Sequence, residues 1–174
     1  RRTSTFDEVV HGLDESTVTY LLGALVDKSI VSVSFTSDDA RYDVLDTIRQ
    51  YVLERLAERG ALAAVREAHA RYFASVADAA YDELRGPSWK STTRRLALDN
   101  DNLWAALACA SEAPDAWIAA RLGSLGWYFA LADRVSEGRR FVDLALTAAA
   151  ADAPLDVRVE LLAFLCYLAT EALE

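Results

Sequence analysis

Apolar side chains recur along most of this chain at the three- and four-residue spacing of a one-sided buried helix. One stretch near residue 30 alternates instead. Val18, Leu21, Leu22, Leu25 and Val26 form the first stripe. It is introduced by Asp14-Glu15-Ser16, which offers a capping oxygen and acids at the positive end of the helix. Upstream, Thr5 to His11 reads as a short helix closed by Gly12. From Val31 the run Val31-Ser32-Val33-Ser34-Phe35 alternates apolar with polar and is rich in β-branched residues, the pattern of a strand. Thr36-Ser37-Asp38-Asp39 is a polar turn and Arg41-Tyr42-Asp43-Val44 a return strand. Helix, helix and hairpin over residues 1–60 predict a small winged-helix-like unit.

From Asp46 onward the spacing is helical throughout. Asp46 or Thr47 caps a helix with Ile48, Tyr51, Val52 and Leu56 on one face, stopped near Gly60. A long helix follows with Leu62, Val65, His69, Tyr72, Phe73, Val76 and Leu84, broken by Gly86-Pro87. A third helix carries Leu96, Leu103, Trp104 and Leu107 and ends before Pro114. The spacing predicts further helices over 115–132 and 136–150. After the Asp152-Ala153-Pro154 turn comes a last one with Leu161, Leu162, Leu165 and Leu168. The predicted fold class is therefore mainly α, with helical hairpins filling residues 61–174.

Within 119–150, Leu125-Gly126, then Phe129, Gly138 and Ala145 set small residues beside an aromatic. A tight antiparallel helix pair needs small residues where its backbones approach and a large ring to fill the space beside them. The spacing is similar to that of the tetratricopeptide repeat. Leu122 stands where that repeat carries an early Trp, and the usual terminal Pro is displaced to Pro154.

Hydrophobic residues make up 53% of the 174, enough for a packed core. The net charge of −9 is spread evenly, −4 over residues 1–60 and −5 over 61–174. Neither part offers the positive field that a polyanion requires. The would-be recognition helix, residues 16–28, has only Lys28 as a base, and Asp38-Asp39 at the hairpin tip would face phosphate. Direct nucleic-acid binding is disfavoured, and a protein partner fits better. No apolar run reaches the length of a membrane span, and no secretory signal is recognisable, so a cytoplasmic location is expected. Cys109 and Cys166 lack metal-ligand spacing and read as small core residues. With no Met, and with Glu174 falling inside an apolar helical pattern, the chain reads as an excerpt of a longer protein.

Chemistry-bearing patterns are sparse. The seven glycines form no phosphate-cradling loop, and Gly123 and Gly126 are better explained by helix packing. His69 lies on an apolar stripe and His11 beside a turn. No nucleophile elbow accompanies either. Asp38/Asp39 suits a solvated turn, and Asp99-Asn100-Asp101-Asn102 suits a helix start. Arg94-Arg95 and Arg139-Arg140 suit ion pairs or solvated faces. Trp104, Trp117 and Trp127 read as core, with Trp89 the most exposed of the four tryptophans. No catalytic, cofactor-binding or metal-binding residue is assigned, and a non-enzymatic role is expected.

Five strings occur in order: LLGALVDKSIVSV (Leu21–Val33), RYDVLDTIRQYVLERL (Arg41–Leu56), HARYF (His69–Phe73), DNDNLWAAL (Asp99–Leu107) and SEGRRFVDLAL (Ser136–Leu146). The series resembles the region that follows the nucleotide-binding module in actinobacterial STAND-type (NB-ARC-like) ATPase transcriptional regulators of the LuxR and SARP types. The resemblance implies a winged helix and the first tetratricopeptide-like repeats of such a switch. It implies a protein partner: the protein's own nucleotide-binding module, a signalling protein, or both. The family's P-loop and terminal DNA-binding domain have no counterpart here, so no cofactor is expected in this stretch. Two other readings stand beside it, a DNA-binding winged-helix regulator and a small-molecule-binding helical domain.

Overall fold

A computed structural model of the chain describes residues 14–35, 40–112, 115–149 and 155–171. They form a mainly α-helical protein with one small antiparallel hairpin. The chain divides into two compact units, Arg1–Val65 and Arg66–Glu174. The expected helix over residues 5–11 and the turn at 36–39 lie outside the described residues.

In the first unit, α1 spans Glu15–Asp27. Asp14 is its N-cap, with an extended backbone and a carboxylate that accepts from the Thr17 amide at 2.7 Å. The helix ends in a Schellman turn. The Ser29 amide donates to the Val26 carbonyl and the Ile30 amide to that of Leu25. Ser29 takes the left-handed conformation this demands, with φ 56°. Strand β1 (Val31–Phe35) then pairs with β2 (Ala40–Val44), Val31 opposite Val44 and Val33 opposite Tyr42. Helix α2 covers Asp46–Glu58. Its N-cap is Leu45, not Asp46 or Thr47, and no side chain caps it; Asp46 instead sits in the first turn, where its charge meets the helix dipole. Gly60, at φ 67°, closes α2 with a second Schellman turn.

Helix α3 (Leu62–Arg85) begins in the first unit and runs into the second. Its buried seam is Ala70, Phe73, Ala74, Ala77, Ala80 and Leu84. These alanine methyls belong to the main buried cluster of the second unit. Tyr72, expected on this seam, points largely to solvent, while His69 and Val76 are half-buried at its edge. Polar bonds fix the corner after α3. Glu83 accepts from the buried Thr92 hydroxyl at 2.8 Å and pairs with Arg95 at 2.7 Å.

Two predicted helices are each divided. Residues 89–112 form α4 (Trp89–Leu98) and α5 (Asn100–Glu112), separated at Asp99, whose amide turns back to the Leu96 carbonyl. Aspartate competes with helical bonding and favours such ends. Residues 116–131 form α6 (Ala116–Gly123) and α7 (Gly126–Leu131). Gly123 and Gly126, the poorest helix formers after proline, flank this step, where the Leu125 amide bonds to Leu122 three residues back. A third Schellman turn, with Asp133 at φ 58°, leads into α8 (Val135–Ala149). Helix α9 spans Leu155–Glu171.

The main core of the second unit holds Leu96, Leu103, Leu107, Leu122, Phe129 and Phe141 with the α3 alanines. Phe129 lies against Gly138, where an added β-carbon would come 2.6 Å from that of Phe129. The expected pairing of a small residue with an aromatic across this hairpin is therefore present. Among the described residues, no helix is long and apolar enough to cross a membrane.

Candidate functional site

The residues that drew attention in the sequence do not converge. His69 packs on the Phe73 ring, centroids 4.7 Å apart, and lies on α3. His11 and Asp38/Asp39 lie outside the described residues. Cys109 is half-buried on α5, and burial, then the charge of Glu112, pushes its thiol up from the ordinary value. Cys166 is exposed on α9 and so is not the core residue its apolar neighbours suggest. Trp117 is exposed, whereas Trp89 is half-buried as the first residue of α4, the reverse of the expected order. Among the described residues, no three His, Cys, Asp or Glu side chains stand where they could share a metal ion.

One polar constellation was not anticipated. It gathers Asn100 and Trp104 of α5, Tyr128 of α7, Arg134 of the following turn and Glu137 of α8. The Trp104 indole N–H donates to Glu137 Oε1 at 2.9 Å, and Arg134 pairs with Glu137 Oε2 at 2.6 Å. Arg134 also donates to Asn100 Oδ1 at 3.2 Å and to the Tyr128 hydroxyl at 3.1 Å. Burial alone would push the Glu137 carboxyl up. The Trp104 hydrogen bond, the charge and hydrogen bond of Arg134 and the contact from Asn100 together bring it below the usual value. For Tyr128 burial wins over the nearby arginine, and its hydroxyl titrates above the ordinary range. Every side chain of the group is bonded to at least one other, so the cluster ties α5, α7 and α8 together. Its chemistry is that of a structural clasp.

The first unit has a different character. Of its described apolar side chains, only Val31 is buried. On α1, Val18, Leu21 and Leu25 lie on one face and are 41%, 44% and 36% exposed. On α2, Tyr51, Val52 and Leu53 are exposed as well. Beside them, Asp46, Thr47, Gln50, Tyr51 and Glu54 line a shallow, open hollow of about 450 Å³ along α2. Leu22, Val26, Ile48 and Leu56 are half-buried. A protein surface rarely leaves so many large apolar groups in water without a partner to cover them.

Aromatic and apolar groups on a surface bind by excluding water, with polar groups at the rim setting orientation. The hollow's carboxylates would repel a polyanion and accept hydrogen bonds from a polypeptide. No protein-family model, curated protein or solved structure matches the chain.

Proposed function

We propose that this chain is a regulatory, protein-binding part of a STAND-type ATPase transcriptional regulator, with no catalytic role of its own. In this reading the first unit packs on the nucleotide-binding module and the helical unit couples that contact to a sensed signal. The observation that carries it is the uncovered apolar face of α1, Val18, Leu21 and Leu25, with Tyr51 and Val52 of α2. The ordered strings from Leu21 to Leu146, through their resemblance, support the choice of family. The even negative charge favours a protein surface over DNA.

Co-elution with the nucleotide-binding module of the protein that carries this chain tests the reading. A complex whose formation alters nucleotide turnover is the expected result. A chain that leaves the module unchanged, yet gives a salt-sensitive band shift with duplex DNA, would replace this reading with a DNA-binding one.

A further inference from the structure

We infer that the outer face of α4 is a docking surface for an acidic segment of a partner polypeptide, received by Lys90 and Arg94 beside Trp89. The inference goes beyond the protein-binding reading of the first unit and does not depend on it.

The chain has a net charge of −9, yet residues 84–98 hold the bases Arg85, Lys90, Arg94 and Arg95 and no acid. Arg95 is engaged within the unit, paired with Glu83 at 2.7 Å, and the Arg85 guanidinium lies over the Tyr81 ring, 3.6 Å from its centroid. Lys90 and Arg94 are placed differently. They stand one turn apart on α4, both are exposed, and among the described residues neither pairs with a carboxylate. The Lys90 ammonium lies 5.3 Å from the centre of the half-buried Trp89 ring, so an aromatic surface adjoins the two charges. Thr92 and Leu96, on the opposite side of the helix, are buried and hold this face outward.

The range of the charges decides which anion such a face can hold. At physiological salt a charge is felt over about 8 Å. The ten residues of α4 span about 15 Å. A few carboxylates on a short segment stay within reach of Lys90 and Arg94 and clear of the chain's own acids. Duplex DNA needs a longer positive track, and α4 is flanked in sequence by Asp82 and Glu83 before it and by Asp99 and Asp101 after it. Charge complementarity therefore selects a carboxylate-bearing peptide, with Trp89 to cover an apolar side chain beside the acids.

Fluorescence anisotropy of a fluorescein-labelled octaglutamate peptide, titrated with the 174-residue chain at moderate ionic strength, tests this. Saturable binding is expected. Lys90→Glu with Arg94→Glu should weaken it at least about ten-fold, and Arg139→Glu with Arg140→Glu, an exposed basic pair on α8, less than about two-fold. A footprint on the wild type serves even if a variant fails to fold, because the chain has only two lysines, Lys28 and Lys90. Saturating peptide should shield Lys90, and not Lys28, from an acylating reagent read by mass spectrometry. Absence of binding, equal loss in the two double variants, equal labelling of Lys90 with and without peptide, or tighter binding of a labelled DNA duplex would each overturn the assignment.

Discussion

The ring of Phe164 lies directly over the backbone of Gly126, so closely that a β-carbon at residue 126 would meet Cγ of the ring at 2.9 Å. Glycine at this position is a contact surface, and its lack of a side chain is what admits α9. Gly23, within α1, has nothing within 4 Å of an added β-carbon.

The same substitution at these two glycines should therefore have opposite signs. Gly23→Ala removes only the conformational cost of glycine in an exposed helix and should stabilise by about 0.5–1 kcal/mol. Gly126→Ala, at the first residue of α7, gains less propensity and must displace a seated aromatic ring, an overpacking cost of about 1–3 kcal/mol that wins. Urea denaturation of the two variants measures both. Equal shifts would show that Gly126 is not in contact.

Helix ends provide a second comparison. Gly60, Ser29 and Asp133 all occupy left-handed positions in Schellman turns. Gly60→Ala should cost about 1 kcal/mol, since alanine pays for the left-handed backbone. Ser29→Gly and Asp133→Gly should each gain about 0.5 kcal/mol, because relief of that strain is partly offset by the freer unfolded chain. Thermal denaturation of the three variants checks the order.

Asp115 and Asp78 separate capping from ion pairing. Asp78 pairs with Arg121 at 2.7 Å, both side chains about half exposed. Asp115 pairs with Arg71 at 3.0 Å and also caps α6 through the amides of Trp117 and Ile118, each at 3.1 Å. Asp78→Ala should cost no more than about 0.5 kcal/mol, and less in high salt. Asp115→Ala should cost about 1 kcal/mol, largely independent of salt. A salt-insensitive loss at Asp78 would contradict the assignment.

Acid sensitivity should centre on Glu83 and Glu137. Hydrogen bonding by Thr92, against burial and with help from Arg95, lowers Glu83; against burial, the Trp104 hydrogen bond and then Arg134 lower Glu137. A carboxyl lowered on folding contributes stability above its unfolded value, near 4.5, and loses it as pH falls through the folded value. Stability should therefore decline below about pH 4.5. Glu137→Gln should be less stable at neutral pH and show a shallower acid slope. An unchanged slope would mean the clasp contributes nothing.

What the sequence discloses is uneven for physical reasons. Periodicity identified the hairpin and the helical course of the chain, because which face is apolar is a local property. Gly60 announced its turn; Ser29 and Asp133 did not, since residue type alone does not reveal a left-handed backbone. Asp99 to Asn102 signal the helix start found at Asn100, although the apolar stripe runs on across it; the break at Ser124–Leu125 interrupts no apolar spacing and leaves no such signal. The α3 stripe includes exposed Tyr72 because large residues dominate a hydropathy pattern, whereas alanines make up most of the buried seam. Arg134 and Glu137 stand three residues apart, but Trp104 joins them only in three dimensions, and no spacing in the sequence brings it there. The candidate surface was half legible. Leu21 and Leu122 look alike in a helical stripe, yet one is open to solvent and the other fully buried. Coverage is decided by what packs on a face, which periodicity does not record.

Calorimetric titration of the chain into the nucleotide-binding module, comparing wild type with Leu21→Glu and Val52→Glu, tests the central claim most directly. The account predicts saturable binding that each charged variant weakens at least ten-fold, about 1.4 kcal/mol, while thermal unfolding of the helical unit is unchanged. Wild-type affinity in both variants, or no binding by the wild type, would contradict it.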